Sequence, residues 1–466
     1  MLAMIREFIR TKTRANSGKL TIVTVFPRST NSYQTDLRKL KMQQRRLFID
    51  IVATIAITLG SVAMAQAQAQ SQVKLKVLIG NWAPAAITPA IKTFTKETGI
   101  QVETEDLPFR DLLKKIEISA KAEVKDVDVI FVDAPLTPSY AERGLLLPLN
   151  DYFVGANPDE LWVPAAVNSA MWKGKIWAPP LNNSSQVLYY NKELLDKAGI
   201  PYPSAALDKR LTWAEVVDNA RKIAKPESGI WGLMFDQVSR YYQLQVLPES
   251  LGGGSGMSKD GLSVAGQLTN EGWINGLTFY GDLFNKWKIS PKGVNPTETV
   301  SMFASGKVAY FVGLEPRSID FDKSGVKYGF VPHPYFTGGK PVTPTNSWHI
   351  GVWKHTKYPK EAAQLVRFLT TNPKIAVETL DIDGRLPSHK AALRYINEQP
   401  KFLNSVKRLA AWEATTTGVV RARTPAYLEF EELVNNAMED IRNGGDPKTV
   451  LSETEARITA ALRRYR

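Results

Sequence analysis

The sequence predicts an α/β fold with right-handed crossovers, on three observations. Short apolar segments alternate with helix-like segments along the chain. The run Val127-Asp128-Val129-Ile130-Phe131-Val132 is β-branched and almost continuously apolar, as a strand covered on both faces requires. A length of 466 residues, 44% hydrophobic and 23% charged, suffices for two packed domains and is too mixed for disorder.

The elements follow in order. Val73 to Ile79 alternates and reads as the first strand. Thr88-Pro89-Ala90-Ile91 reads as a helix start, with threonine as N-cap and proline at the first helical position, and Gly99 as its end. Ile100-Gln101-Val102 is a second apolar segment, and Leu112 to Ala122 is helix-like before the Val127–Val132 strand. Val187 to Tyr190 reads as a strand. Leu211-Thr212-Trp213-Ala214-Glu215 is a capping box opening a helix through Ala224. Ile230–Phe235, Val308–Val312 and Ile350–Trp353 are further strand candidates. Pro359 and Asp446-Pro447 open helices running to Leu369 and towards Leu462. Gly252-Gly253-Gly254-Ser255-Gly256 lacks the lysine and spacing of a phosphate loop and reads as a flexible turn.

The net charge of +13 suggests a polyanion as partner until its location is traced. Residues 1–65 hold 11 basic and 3 acidic residues, a net of +8; the remainder holds 48 and 43, a net of +5. The basic flank Lys41–Arg46, a short apolar run to Ala63 and the small-residue site Ala63-Met64-Ala65 together read as a secretory signal peptide over 42–65, cut near Ala65. A spanning helix needs about 20 apolar residues, and this run is shorter and contains Asp50. Arg45-Arg46 leaves both general and twin-arginine export open. Residues 1–41 read as a leader from a start codon assigned too early. The expected exported chain carries no case for nucleic acid. Zero cysteine excludes disulfides, thiolate chemistry and a lipidated N-terminal cysteine. An exported protein with no stable membrane insertion is the expectation.

Catalytic patterns are missing. His333, His349, His355 and His389 are not at metal-ligand spacing, and there is no H-E-x-x-H or G-x-S-x-G. Asp381-Ile382-Asp383-Gly384 lacks the remaining ligands of a calcium loop. No metal, no cofactor and no enzyme activity is expected. The 11 tryptophans are more informative, because several aromatics lie beside small or polar residues at strand ends: Asn81-Trp82, Ser347-Trp348 and Tyr241-Tyr242. Flat rings stack on apolar sugar faces while nearby polar groups bond the hydroxyls. In open α/β sheets such sites lie beyond the C-terminal strand ends.

Several landmarks then occur in one order. They are Phe94-Thr95-Lys96-Glu97-Thr98-Gly99-Ile100-Gln101-Val102, Asp128–Asp133 with Ala141-Glu142-Arg143-Gly144-Leu145-Leu146-Leu147-Pro148-Leu149, and Leu188–Ile200 with Thr212-Trp213-Ala214-Glu215. Phe303-Ala304-Ser305-Gly306-Lys307-Val308-Ala309-Tyr310, Gly384-Arg385-Leu386-Pro387-Ser388 and Arg423-Thr424-Pro425 follow. With these, the chain resembles extracellular solute-binding proteins of family 1, the maltose-binding-protein-like components of sugar ABC transporters. The resemblance implies a periplasmic-binding-protein fold, two α/β lobes joined by hinge crossovers around a ligand cleft. Crossovers are expected near 180–185, 344–347 and 397–402. This gives an N-lobe of 72–182 plus 346–398 and a C-lobe of 183–345 plus 399–466. It implies capture of a mono- or oligosaccharide by hinge closure and delivery to an ABC-transporter permease. A freely soluble periplasmic monomer is implied as well. By position it implies Trp82, Asp133, Asn183, Ser184, Tyr241, Glu315, Trp348, Arg385 and Tyr427 as ligand-binding residues. Glu315 departs from the tryptophan many relatives carry there, so a carboxylate bonding hydroxyls is expected instead. A polyamine, a ferric ion held by tyrosinates from the Tyr189-Tyr190 and Tyr241-Tyr242 doublets, an organic anion, or a secreted carbohydrate-active enzyme remain as alternatives.

Overall fold

A computed structural model describes residues 73–465 apart from Asn346, Ser347 and Gly384. The expected leader over 1–41, the signal peptide over 42–65, part of the second crossover and the first residue of the Gly384–Ser388 motif lie outside the described residues. The strands used below are β1 (Lys74–Gly80), β2 (Gln101–Leu107), β3 (Val129–Asp133), β4 (Gln186–Asn191), β5 (Trp231–Phe235), β6 (Val308–Leu314), β7 (Tyr328–Val331) and β8 (Trp348–Val352).

They form two four-stranded sheets, in the orders β8-β3-β1-β2 and β7-β4-β6-β5. β1 runs parallel to β2 and β3, but β8 runs antiparallel to β3. In the second sheet only β5 and β6 are parallel; β4 is antiparallel to both β6 and β7. The βαβ units pair in parallel, as strand–helix alternation implies, and the strands entered from the other sheet pair antiparallel. A strand that follows a crossover need not return over a helix, so no handedness rule forces it parallel.

Helices cover the sheets through apolar stripes. α1 (Pro84–Thr98) starts five residues before the expected first helical position and carries Pro89 inside. Proline at the first helical position loses no hydrogen bond. The earlier start adds Ala86 and Ile87 to the buried face formed by Ala90, Ile91 and Phe94. α2 (Phe109–Lys121) buries Leu112, Ile116 and Ser119, spaced by one turn. α3 (Trp213–Ile223) opens on the expected capping box: Glu215 N–H donates to Thr212 Oγ1 at 3.3 Å and Thr212 N–H to Glu215 Oε2 at 2.7 Å. It lies so close to β5 that a Cβ on Gly232 would come within 2.5 Å of the Ala220 carbonyl. Only glycine permits that approach.

Two short pairings join the segments between the sheets. Asn182–Asn183 pairs antiparallel with Leu386–Pro387, and Thr343–Pro344 pairs parallel with Gly418–Val419. Among the described residues no helix is long and apolar enough to cross a membrane.

Candidate functional site

The topology brings several strand ends to one edge. In the first sheet, the parallel strands β1 and β3 end at Gly80 and Asp133, and the antiparallel β8 begins there, its Trp348 directly opposite Asp133. In the second sheet β6 ends at Leu314, directly opposite Gln186 at the start of antiparallel β4. Between these edges lies a cavity of about 430 Å3 lined by Trp82, Phe109, Asp133, Ser184, Arg240, Tyr242, Leu314, Pro316, Arg317, Trp348, Arg385 and Arg421.

One wall is aromatic. Trp82 and Trp348 lie 4.7 Å apart between ring centroids, and Phe109 meets Trp348 edge-on at 5.7 Å. Phe131 supports Trp348 from the core at 6.4 Å. Trp82 folds back over the end of β1, where a Cβ on Gly80 would come 2.1 Å from its ring. Trp348 is fixed by its backbone: its N–H donates to Asn182 Oδ1 at 3.1 Å, and its carbonyl accepts from Leu181 N–H at 2.9 Å.

The opposite wall is cationic. Arg317 donates from Nε to buried Asp236 at 3.0 Å and from Nη1 to Asp320 at 3.5 Å. Arg240 reaches Glu431 at 3.4 Å and lies 5.8 Å from the Tyr242 ring. Arg421 makes a bidentate pair with Asp133 at the base of the cavity, Nη1 to Oδ2 at 3.1 Å and Nη2 to Oδ1. Its guanidinium sits 5.0 Å from the Tyr242 ring and 5.8 Å from the Tyr427 ring. Burial opposes that charge, yet the Asp133 carboxylate holds the Arg421 pKa well above the ordinary value.

Of the nine residues expected from the sequence, Trp82, Asp133, Ser184, Trp348 and Arg385 line the cavity. The other four stand behind it. Asn183 is buried and accepts from Thr345 Oγ1 at 2.5 Å and from Ser184 N–H at 2.9 Å, tying two crossing segments together. Tyr241 is fully buried. Its hydroxyl donates to the Ser255 carbonyl and accepts from Ala422 N–H, and its ring stacks on Trp273. Its neighbour Tyr242 is the one that faces the cavity. Glu315 is buried too and accepts from Ser185 N–H at 2.9 Å and Leu386 N–H at 3.4 Å, so it fastens two chain crossings. Burial pushes its carboxyl up to about 7, with the two N–H donors opposing. Tyr427 is buried under Arg421. Sequence reading missed Phe109, Arg240, Tyr242, Arg317 and Arg421. A rule that marks arginine within five residues after a strand's C-terminal end would have found Arg240 and Arg317, which follow strands ending at Phe235 and Leu314.

The one carboxylate among the described residues of the cavity lining, Asp133, is paired with Arg421. His333 and His349 are buried elsewhere, and desolvation pushes them down to about 3 and 4, so both stay neutral. Among the described residues no group of three or more His, Asp or Glu side chains could hold a metal.

The family described as bacterial extracellular solute-binding protein matches residues 80–375. The chain belongs to that family. It is 24% identical over 378 residues to the galactooligosaccharide-binding protein of Bacillus subtilis, covering 79% of this chain and 84% of the relative. Its fold matches an ABC transporter solute-binding protein of Thermotoga lettingae bound with α-D-tagatose at TM-score 0.70 and 21% identity, over 84% of this chain and all of the other. An ABC substrate-binding protein of Listeria monocytogenes in complex with cycloalternan matches equally, at TM-score 0.70 and 21% identity over 84% and 99%. The solute-binding protein thus has the periplasmic-binding-protein fold, two α/β lobes with a cleft between them, and its cavity is that cleft.

Proposed function

We propose that this solute-binding protein captures a carbohydrate in the cleft by hinge closure and delivers it to the membrane permease of an ABC transporter. One observation carries the reading. The Trp82–Phe109–Trp348 wall offers flat apolar rings, and Ser184, Asp133, Tyr242 and the arginines across from it offer polar groups. A sugar ring presents those two chemistries, an apolar face and a hydroxyl edge. The sugar names carried by the relatives above support it. Trp82, Asp133, Ser184, Trp348 and Arg385 would touch the ligand, with Asn183, Tyr241, Glu315 and Tyr427 holding those groups in place.

The lobes in this reading are 72–182 plus 346–398 and 183–345 plus 399–466. A ligand touching both walls favours the closed state only by its extra contacts there, and that difference sets the shift in population. The protein acts in the periplasm as a monomer after removal of its signal peptide, and performs no chemistry on the ligand. The ferric-ion alternative finds little support. Of Tyr189, Tyr190, Tyr241 and Tyr242 only Tyr242 lines the cavity, so the paired tyrosinates it needs are not brought together there. Mass spectrometry of co-purified ligand, followed by calorimetry against a carbohydrate panel, tests the reading. Micromolar or tighter binding of a sugar is expected, and a panel in which no sugar binds or raises the melting temperature overturns it.

A further inference from the structure

We propose that the carbohydrate is acidic: a sugar carrying an oxyanion group, carboxylate or phosphate, that the arginines of the second wall receive. The inference rests on the carbohydrate reading above and concerns the same cleft. Four guanidinium groups line the cavity, those of Arg240, Arg317, Arg385 and Arg421, against the single carboxylate of Asp133. That carboxylate is already bound at both oxygens by Arg421. The acids that offset Arg240 and Arg317, namely Glu431, Asp236 and Asp320, do not line the cavity. The positive ends therefore face the ligand space and the negative ends lie away from it.

Hydrogen-bond supply leads to the same ligand. A neutral sugar's hydroxyls each donate and accept, so a neutral site needs acceptors as well as donors. Here the side-chain acceptors on the lining are Asp133, committed to Arg421, and the hydroxyls of Ser184 and Tyr242. Donors are in excess. Arg240 spends only Nη2 on protein, and Arg317 only Nε and Nη1. Nε and Nη1 of Arg240 and Nη2 of Arg317 donate to no described residue. A carboxylate or phosphate is acceptor-only and matches the planar fork of guanidinium at two atoms. The aromatic wall then takes the apolar face of the ring to which that group is attached.

The test is calorimetry on the purified protein with matched pairs: galacturonate and galactose, glucuronate and glucose, glucose 6-phosphate and glucose. Inorganic phosphate and acetate serve as sugar-free anions. At least one acidic sugar is expected to bind about tenfold or more tighter than its neutral partner, with the preference shrinking as salt is raised. Whether carboxylates or the phosphate gain identifies the source of the oxyanion. Arg240→Gln, at a side chain 35% exposed, is expected to reduce the acid-over-neutral preference about tenfold. Neutral sugars binding as tightly as their acidic partners, or binding where no acidic sugar does, overturn the proposal and leave the carbohydrate reading standing. If no sugar of either kind binds, or phosphate and acetate bind as tightly as the acidic sugars, the carbohydrate reading itself falls.

Discussion

Arg421→Met removes a cation on which both walls of the cleft converge. Arg421 holds Asp133, at the end of β3 in the first sheet, while its neighbour Ala422 donates to Tyr241 beside the second. The side chains of the pair are 4% and 11% exposed. Methionine keeps the apolar length between Tyr242 and Tyr427 but leaves a nearly buried carboxylate without its partner. Breaking such a pair from one side costs about 3–5 kcal/mol. Unfolding entropy of about 2.1 cal/mol/K per residue over roughly 390 residues gives about 0.8 kcal/mol/K, so the melting temperature should fall by about 4–6 °C. Adding Asp133→Asn removes the orphaned charge and should recover most of the loss, a coupling that neither single variant shows. Scanning calorimetry on the wild type, both single variants and the double variant reads it directly. A drop under about 1 °C for Arg421→Met, or a double variant as unstable as the sum of the singles, refutes the reasoning.

Glu315 makes a pH prediction. Its folded pKa of about 7 lies above the ordinary 4.5, so between those values the folded state holds the extra proton. Its contribution to stability therefore falls as pH rises from about 4.5 to 7, by about 3 kcal/mol, and is flat above. Buried neutral His333 and His349 pull the other way, because the unfolded chain takes up their protons below pH 6.5. Comparison with Glu315→Gln isolates the acid: wild type minus variant stability should decline across that window in melting curves taken at successive pH values, and a flat difference counts against it. Gly80→Ala places a methyl group 2.1 Å from the Trp82 ring and must displace it. Ligand affinity should drop about tenfold, the value of about 1.4 kcal/mol of lost aromatic contact. Calorimetry with the co-purified ligand checks this, and unchanged affinity would place Trp82 outside the binding wall.

The element order was readable because each segment carried its own signal. The Thr212–Glu215 capping box and the Val127–Val132 run are local patterns with local causes, and they fixed a helix start and a strand. The direction of β4 and β8 was not readable, since it depends on which sheet the chain enters after a crossing. The site was half readable for the same reason. Trp82 and Trp348 flank strand ends that periodicity locates, so both could be named. The Asp133–Arg421 pair joins residues 288 apart with no pattern linking them. In the Tyr241-Tyr242 doublet, the short helix Tyr241–Leu244 has no periodicity to say which ring turns to the cleft. Glu315 was expected to bond a ligand. In the structure it is buried just past a strand end, and two backbone N–H groups from the crossings donate to its oxygens.

A crystal structure of the protein with the ligand that co-purifies with it tests the cleft reading most directly. A sugar ring is expected against Trp82 and Trp348, with its polar edge towards Ser184, Tyr242 and the arginines. A non-carbohydrate in that position would contradict the reading. So would a ligand seated instead in the neighbouring cavity of about 650 Å3, which shares Arg421 and is lined by Glu249, Met257 and Arg423.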